Sequence, residues 1–458
     1  MLLLLPTLLF AHLALRSASP APDESLAVAP ESIQFTFTEP VEVELSIISL
    51  IGPAGVVELG SLSSDETRQV VSAPIRGALA AGLYTVGWQA VGRDGHPVRG
   101  EYGFRIEDGA EGAASPEPTF SGTSSFSPPS PGAPSMPTFE TRSPLYAGVR
   151  LMVYLGILGM LGAVGFALLI LMRLPAGSFS GGHTLERALL GAASLGVLAA
   201  LVLLVSLPLR LQAQAHALFG VGISSERFSL LLSSTWGVGW LIQAVGTLAA
   251  LAGFLLVRRI GPVAWALAAA GTLFVGITPS LSGHAASVEG ARTAAMFADG
   301  FHVLASGLWL GTLLAILVVG FPVLRHEPES HRGAPLHAMV RSFTPVALLA
   351  GAVVVATGLF ASWLQLTSVV DLFVTEWGRL LLTKLLFVAV VFAMGAVNWR
   401  RVQPRISEPG GDRRLRQAAS VELTATLLVL IITSVLTAVP PPAQAGGASA
   451  YSETTRDP

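Results

Sequence analysis

The sequence predicts two unlike halves: an N-terminal all-β Greek-key sandwich or barrel, and an all-α bundle of eight transmembrane helices, joined by a disordered linker. Three observations carry that prediction. Only 12% of the 458 residues are charged and 52% are hydrophobic, whereas a soluble globular chain is nearer a quarter charged. Apolar and polar residues alternate before residue 108, and long apolar runs follow residue 144. Those are the signatures of half-buried strands and of membrane helices. Between the two, Ser, Pro, Gly and Thr dominate, as in 125–137, a composition that cannot bury a core.

Residues 1–11 are a Leu run with one Pro. The run is too short to span a bilayer and reads as the apolar region of a signal peptide. It departs from the usual pattern in having no Lys or Arg before the run and Leu9 near its end. Cleavage after Ala11 leaves His12 with a free α-amino group, so that amine, imidazole and intervening backbone can chelate one metal. Cleavage at Ala18 or Ala21 discards His12 instead.

The β domain is expected over 12–110. Ile33–Phe37, Val43–Ile47 and Tyr102–Ile106 alternate, Leu83–Val91 is strand-like, and Gly, Pro and Asp turns separate them. After Leu83–Val91 comes Asp94-Gly95-His96-Pro97. A carboxylate and an imidazole two residues apart, with Gly between, can turn toward one centre. The same Asp-Gly pair also serves as an ordinary polar turn. Cys is absent, which excludes disulfides, Cys-rich zinc sites and thiol nucleophiles. Any metal must be held by His, Met, carboxylate or backbone groups. A net charge of −2 argues against a nucleic-acid partner.

Four segments in order resemble one family: the stretch from His12 to Pro20-Ala21, Phe37-Thr-Glu39-Pro40-Val41, Leu83-Tyr84-Thr-Val-Gly-Trp88, and Asp94-Gly95-His96-Pro97-Val98-x-Gly100-x-Tyr102-x-Phe104. They look like the CopC family of periplasmic copper-binding domains, over about the first 108 residues. The resemblance implies Cu(II) ligation by His12, Asp94 and His96, with Glu39 nearby. Nitrogen and carboxylate donors suit tetragonal Cu(II). Some family members add a Met-rich Cu(I) site. No Met occurs between Met1 and Met136, so that site is expected to be missing.

Residues 111–144 read as a mobile tether, and 441–458 as a disordered tail. The bundle, 145–440, is expected to contain eight spans: Leu145–Met172, Ala188–Leu209, Ser229–Val257, Val263–Pro279, Gly300–Leu324, Thr344–Leu364, Leu380–Val397 and Ser420–Val439. With the β domain outside, inner loops hold Arg173, Arg187, Arg258, Arg259, Arg325, Arg332, Arg341 and the Arg400–Arg416 group. Outer loops hold only Arg210, Arg227, Arg292 and Arg379. That is a positive-inside bias. It gives a multi-pass protein of a bacterial plasma or inner membrane, with the β domain and C-terminus on the outer side.

On that outer side lies Ser282-Gly283-His284-Ala285, followed by Asp299, His302, Ser306 and Trp309. Spacings of 3, 4 and 3 put these last four on one helical face. Met296 joins the stripe if the helix starts early. Ionisable residues at a membrane helix end are functional candidates, so His284, His302, Asp299 and Met296 form a candidate metal relay. Ordinary capping by His302 and packing by Trp309 explain the same residues.

Gly283-His284-Ala285, His302-x6-Trp309-x-Gly311, Arg341-Ser-Phe-x-Pro345, Thr357-Gly358, Trp377-Gly378-Arg379-x4-Lys384, Asn398-x-Arg400 and Glu422 resemble the CopD copper-resistance membrane family. The resemblance runs over about 145–440 and is strongest after Gly283. It implies copper uptake; it does not say which residues carry it. Lys384 and Glu422 fall at opposite depths, so they are not expected to pair, and snorkelling or backbone contacts account for them. Met152, Met160, Met172 and Met394 lack the spacing of a thioether ladder for Cu(I) and read as core. His326, His331 and His337 fall in an inner loop.

The functions that fit are copper capture and import, or copper sequestration, or delivery to an external chaperone or cuproenzyme without transport. Membrane lipid is the other implied partner. No catalytic residue is identified, and no Gly-x4-Gly-Lys-Ser/Thr loop for ATP is found. A haem or quinone enzyme ranks last, because only His302 lies plainly within a helix.

Overall fold

The protein was analysed as a computed structural model, which describes residues 13–93, 95–111, 113–114, 143–175, 177–179, 182–220, 222–282, 291–328, 331–405, 410–439 and 441–442. The expected signal peptide, His12, Asp94, His284, most of the linker and the tail lie outside these residues.

The N-terminal half is all β. Its strands are β1 (Leu15–Ser19), β2 (Ser25–Val28), β3 (Ser32–Phe37), β4 (Ile47–Gly52), β5 (Gly55–Val57), β6 (Ser63–Ser64), β7 (Val70–Pro74), β8 (Leu79–Ala80), β9 (Gly82–Val91), β10 (Pro97–Glu111) and β11 (Ala113–Ala114). One sheet has the order β1-β3-β7-β6 and the other β2-β10-β9-β4-β5. The alternation explains the core. Ile33, Phe35 and Phe37 project from β3 into the space between the sheets, facing Tyr84 and Val86 of β9 and Phe104 and Ile106 of β10. Tyr84 and Phe104 stack at 5.3 Å.

One expectation needs correction here. Val43–Leu45 is a 3-10 turn, not a strand. Leu45 is buried away from the sheet core, with Val91 and the membrane helices, so tertiary contact outweighs local alternation. β10 runs to Glu111, and Ala113–Ala114 pairs with β8.

Among the described residues, eight helices are long and apolar enough to cross a membrane. They are α1 (Pro144–Arg173), α2 (His183–Phe219), α3 (Thr235–Ile260), α4 (Pro262–Leu281), α5 (Arg292–Leu324), α6 (Gly333–Gln365), α7 (Glu376–Arg405) and α8 (Gly411–Leu436). Local chemistry sets several starts. Ser143, Ser234 and Thr375 accept from the N–H groups of Tyr146, Gly237 and Gly378, satisfying donors that the first helical turn leaves open. Pro144 suits the first turn of α1.

Most helices exceed the apolar runs, because polar turns at either end are helical too. α2 continues to Phe219, so Arg210 lies within a helix rather than in an outer loop. α5 begins at Arg292 rather than Gly300. Helices α1 and α5 cross with almost no gap. A Cβ on Gly162 would sit 2.1 Å from the Gly311 carbonyl, and one on Gly311 2.1 Å from the Leu158 carbonyl. Both α5 and α7 contain π-helical turns, at Gly307–Gly311 and Asn398–Val402.

Candidate metal centre

Three distant pieces of chain meet at one tip of the β domain. The Ala14 N–H donates to Thr38 Oγ1 at 2.8 Å, and the Thr38 N–H donates to the Ala14 carbonyl at 2.9 Å. The start of the described chain is thereby fixed beside the Phe37–Val41 stretch. Val41 in turn bridges Gly92, and the Glu42 N–H donates to the Val91 carbonyl at 2.8 Å. The Gly92 N–H closes the turn on the His96 carbonyl at 3.2 Å. Gly95 has φ +81°, the left-handed conformation that glycine adopts without strain.

Of the predicted site residues here, Glu39 is 5% exposed and His96 is half-buried. Among the described residues no three His, Asp or Glu side chains gather as a metal-ligating group. His12 and Asp94 are not among them.

The same tip rests on the bundle. Gln214 Nε2 on α2 donates to the Gly95 carbonyl at 2.6 Å. A Cβ on Gly95 would lie 3.0 Å from Trp236 on α3. Glu42 Oε1 accepts from Thr235 Oγ1 at 2.6 Å, Gln89 Nε2 donates to the Leu218 carbonyl at 3.1 Å, and Arg99 to the Ala217 carbonyl at 2.8 Å. Leu45 and Val91 pack with Leu211, Leu218, Leu231 and Trp236 beneath them. Burial of this apolar patch, rimmed by hydrogen bonds, is the anatomy of a specific interface.

Below the contact the bundle is polar. The Arg210 guanidinium lies 5.7 Å from the Trp236 ring centre and hydrogen-bonds Gln243, which donates to Thr278 Oγ1 at 3.0 Å. On α1, Arg150 donates to the Ser434 carbonyl at 3.3 Å, and Tyr154 lies 3.3 Å from Thr437 Oγ1. Tyr154 lies in the electrostatic reach of Arg150, Arg210 and Asp299. Arg150 and Arg210 were not legible as site residues, because a charge near a helix end reads equally as an anchor.

The early start of α5 carries Met296, Asp299, His302 and Trp309 on one helix. The Thr357 hydroxyl donates its proton to the Val353 carbonyl at 2.6 Å, so at 2.9 Å it accepts from His302 Nδ1. That hydrogen bond leaves His302 Nε2 with its lone pair. Gly358 leaves room for the ring, 3.6 Å from where a Cβ would stand.

Lys384 interacts electrostatically with both Asp299 and His302. The opposite charge within its electrostatic reach is Asp299, two helices away in sequence. Seven residues further in, Trp309 packs on Phe392 at 4.8 Å, and its indole lies close to Glu422. Glu422 is 3% exposed, and its Oε2 also accepts from Asn398 Nδ2 at 3.0 Å.

Comparison with known proteins agrees with this architecture. Residues 15–107 match the CopC domain model, and residues 337–436 match the model of copper resistance protein D. The chain is a fusion of a CopC domain and a CopD domain. Copper transport protein CutJ of Bacillus subtilis (strain 168) is 26% identical over 453 residues, 96% of this chain and 76% of that one. Copper resistance protein C of Escherichia coli is 34% identical over 106 residues, 21% of this chain and 82% of that one. The crystal structure of PcoC, a methionine-rich copper resistance protein from Escherichia coli, shows 32% identity over 21% of this chain and 100% of that chain, with a TM-score of 0.20. Residues 15–107, matched to the CopC domain, contain no Met. This CopC–CopD fusion is thus a copper-related, multi-pass membrane protein.

Proposed function

We propose that the CopC domain captures Cu(II) outside the membrane and passes it to the CopD half for import. The capture ligands are His12, Asp94 and His96, with Glu39 beside them. The receiving groups are His302 through Nε2, Asp299, Met296 and His284. The single observation that carries this reading is the hydrogen bond from Gln214 to Gly95. It ties the backbone between two proposed ligands to the mouth of the bundle. A metal released there needs no diffusion through bulk solvent, and a tether restores the contact whenever it opens, at an effective concentration of ~mM. Nitrogen and oxygen donors suit Cu(II) both in the CopC domain and at His302 and Asp299; holding the metal at Met296 as Cu(I) requires one electron from an external reductant.

One observation favours the second reading, sequestration or delivery to an external cuproenzyme. Arg150, Arg210 and Lys384 place three cationic side chains around the mouth, and like charge opposes entry of a bare metal ion. Intracellular copper in a deletion strain separates the two. Import predicts lower copper on deletion; sequestration predicts higher or unchanged copper.

A further inference from the structure

We infer that Glu422 is a proton-binding site in the inner half of the bundle, built by Asn398 and Trp309 and separate from the metal-receiving groups. Glu422 lies 11 residues into α8, about 16 Å from its inner end at a rise of 1.5 Å per residue. It is 3% exposed. Its carboxyl accepts from the Asn398 amide at 3.0 Å and has the Trp309 indole close by, and both groups are neutral. A buried membrane carboxylate is costly unless a cation or a proton neutralises it.

The charged groups on the elements packed against it stand elsewhere. Arg400 and Arg401 on α7 are exposed, and Arg416 is exposed on α8 itself. Arg150 on α1 is engaged at Ser434, three turns further out. Lys384 is 14 residues outward from Asn398 along α7, about 20 Å. The α5 segment facing α8 brings Trp309 and no charged residue.

Asn398 supplies the second observation. Its Nδ2 donates to Glu422, while its Oδ1 is buried with no hydrogen-bond partner. An amide offers both a donor and an acceptor. The donor suits the carboxylate. The acceptor suits the carboxylic acid, whose O–H would fill the vacant Oδ1 once the amide turns over. Protonation forms one O–H bond and exchanges the Asn398 N–H···O hydrogen bond for an O–H···Oδ1 hydrogen bond; deprotonation releases the proton to water and restores the present arrangement. Both partners sit in π-helical turns, Trp309 in 307–311 and Asn398 in 398–402. Such turns are common at functional sites because they shift side-chain register locally.

Trp309 also connects this site to the outer one. It lies on the α5 stripe with Asp299 and His302, about 10 Å inward of His302. A change at Glu422 therefore reaches the metal-receiving residues through one helix. This coupling rests on the transport reading; the proton site does not.

The test is infrared spectroscopy of the full-length protein in lipid nanodiscs, followed through a pH titration. The expected result is a protonated-carboxyl C=O band that titrates, is lost in Glu422→Gln, persists in Asp299→Asn and shifts in frequency in Asn398→Leu. A titrating band unchanged in Glu422→Gln, or no titrating carboxyl band, overturns the proposal. If Glu422→Gln does not fold, Asn398→Leu decides: an unshifted band places the proton elsewhere and overturns it. Copper uptake into proteoliposomes is the separate arm. Wild-type uptake that loses its pH dependence in Glu422→Gln supports coupling. A band that behaves as expected without any copper uptake leaves the proton site standing and removes the transport reading.

Discussion

At the scale of single residues, the chemistry of the β-domain tip makes two sharp predictions. His96 is half-buried beside a turn fixed by Gly92. As a proposed ligand it contributes an imidazole that no neighbour replaces, so His96→Ala should weaken Cu(II) binding by at least about 100-fold, more than the loss of an outer-shell partner. Electron paramagnetic resonance on the titrated full-length protein should show the nitrogen-rich signal disappear. Gly95 is a different case. Its φ of +81° disfavours a side chain, and a Cβ would meet Gln214 at 2.9 Å and Trp236 at 3.0 Å. Gly95→Ala should cost ~1–2 kcal/mol from backbone strain alone and should loosen the tip from the bundle. Amide exchange at 92–97 measures it: faster exchange there, with the β3 and β9 core unchanged, is the expected pattern.

At the scale of elements, the α5 stripe shows what spacing can and cannot reveal. Asp299, His302 and Trp309 share a face by helical periodicity alone. Their partners come from other helices: Thr357 from α6, Lys384 from α7, Glu422 from α8. Lys384 and Glu422 indeed do not pair. Each instead lies in the electrostatic reach of a residue of α5, and no period in the sequence encodes that approach. Lys384→Met leaves Asp299 without its opposing charge and should lower thermal stability. Adding Asp299→Asn should recover most of the loss, giving a coupling energy of about 1–3 kcal/mol in a double-mutant cycle. Additive losses would mean that the two side chains do not interact.

At the scale of the whole molecule, the contact between the halves is the feature with the largest consequence. It is carried by a few hydrogen bonds and one small apolar cluster around Trp236. Gln214→Leu combined with Thr235→Val should free the β domain while the chain keeps it nearby. Cu(II) affinity should stay within about threefold of wild type, because no proposed ligand changes. The distance between spin labels on the β domain and on α3 should change from one narrow distribution to a broad one. A distance distribution left narrow would show that the apolar cluster, with the remaining Gln89 and Arg99 hydrogen bonds, is enough to hold the contact.

The sequence by itself determined the class of each half, the number of apolar spans and the family resemblance of both. Alternation and apolar runs are local properties, and the Phe37–Val41, Asp94–Val98 and Thr357-Gly358 motifs are contiguous. It also carried the Asp299–Trp309 stripe of α5, since periodicity lies within one helix. Its errors were local as well. Val43–Leu45 alternates like a strand but turns, because Leu45 is used against the bundle. Arg210 looked like a loop charge because polar helical turns resemble loops in composition. Only the tertiary structure decided that Gly95 rests on Gln214, that Lys384 answers Asp299, and that Trp309 and Asn398 converge on Glu422. Each of these contacts joins residues from separate elements, where the balance of burial and hydrogen bonding depends on how helices and sheets pack, and on nothing that neighbouring residues share in the chain.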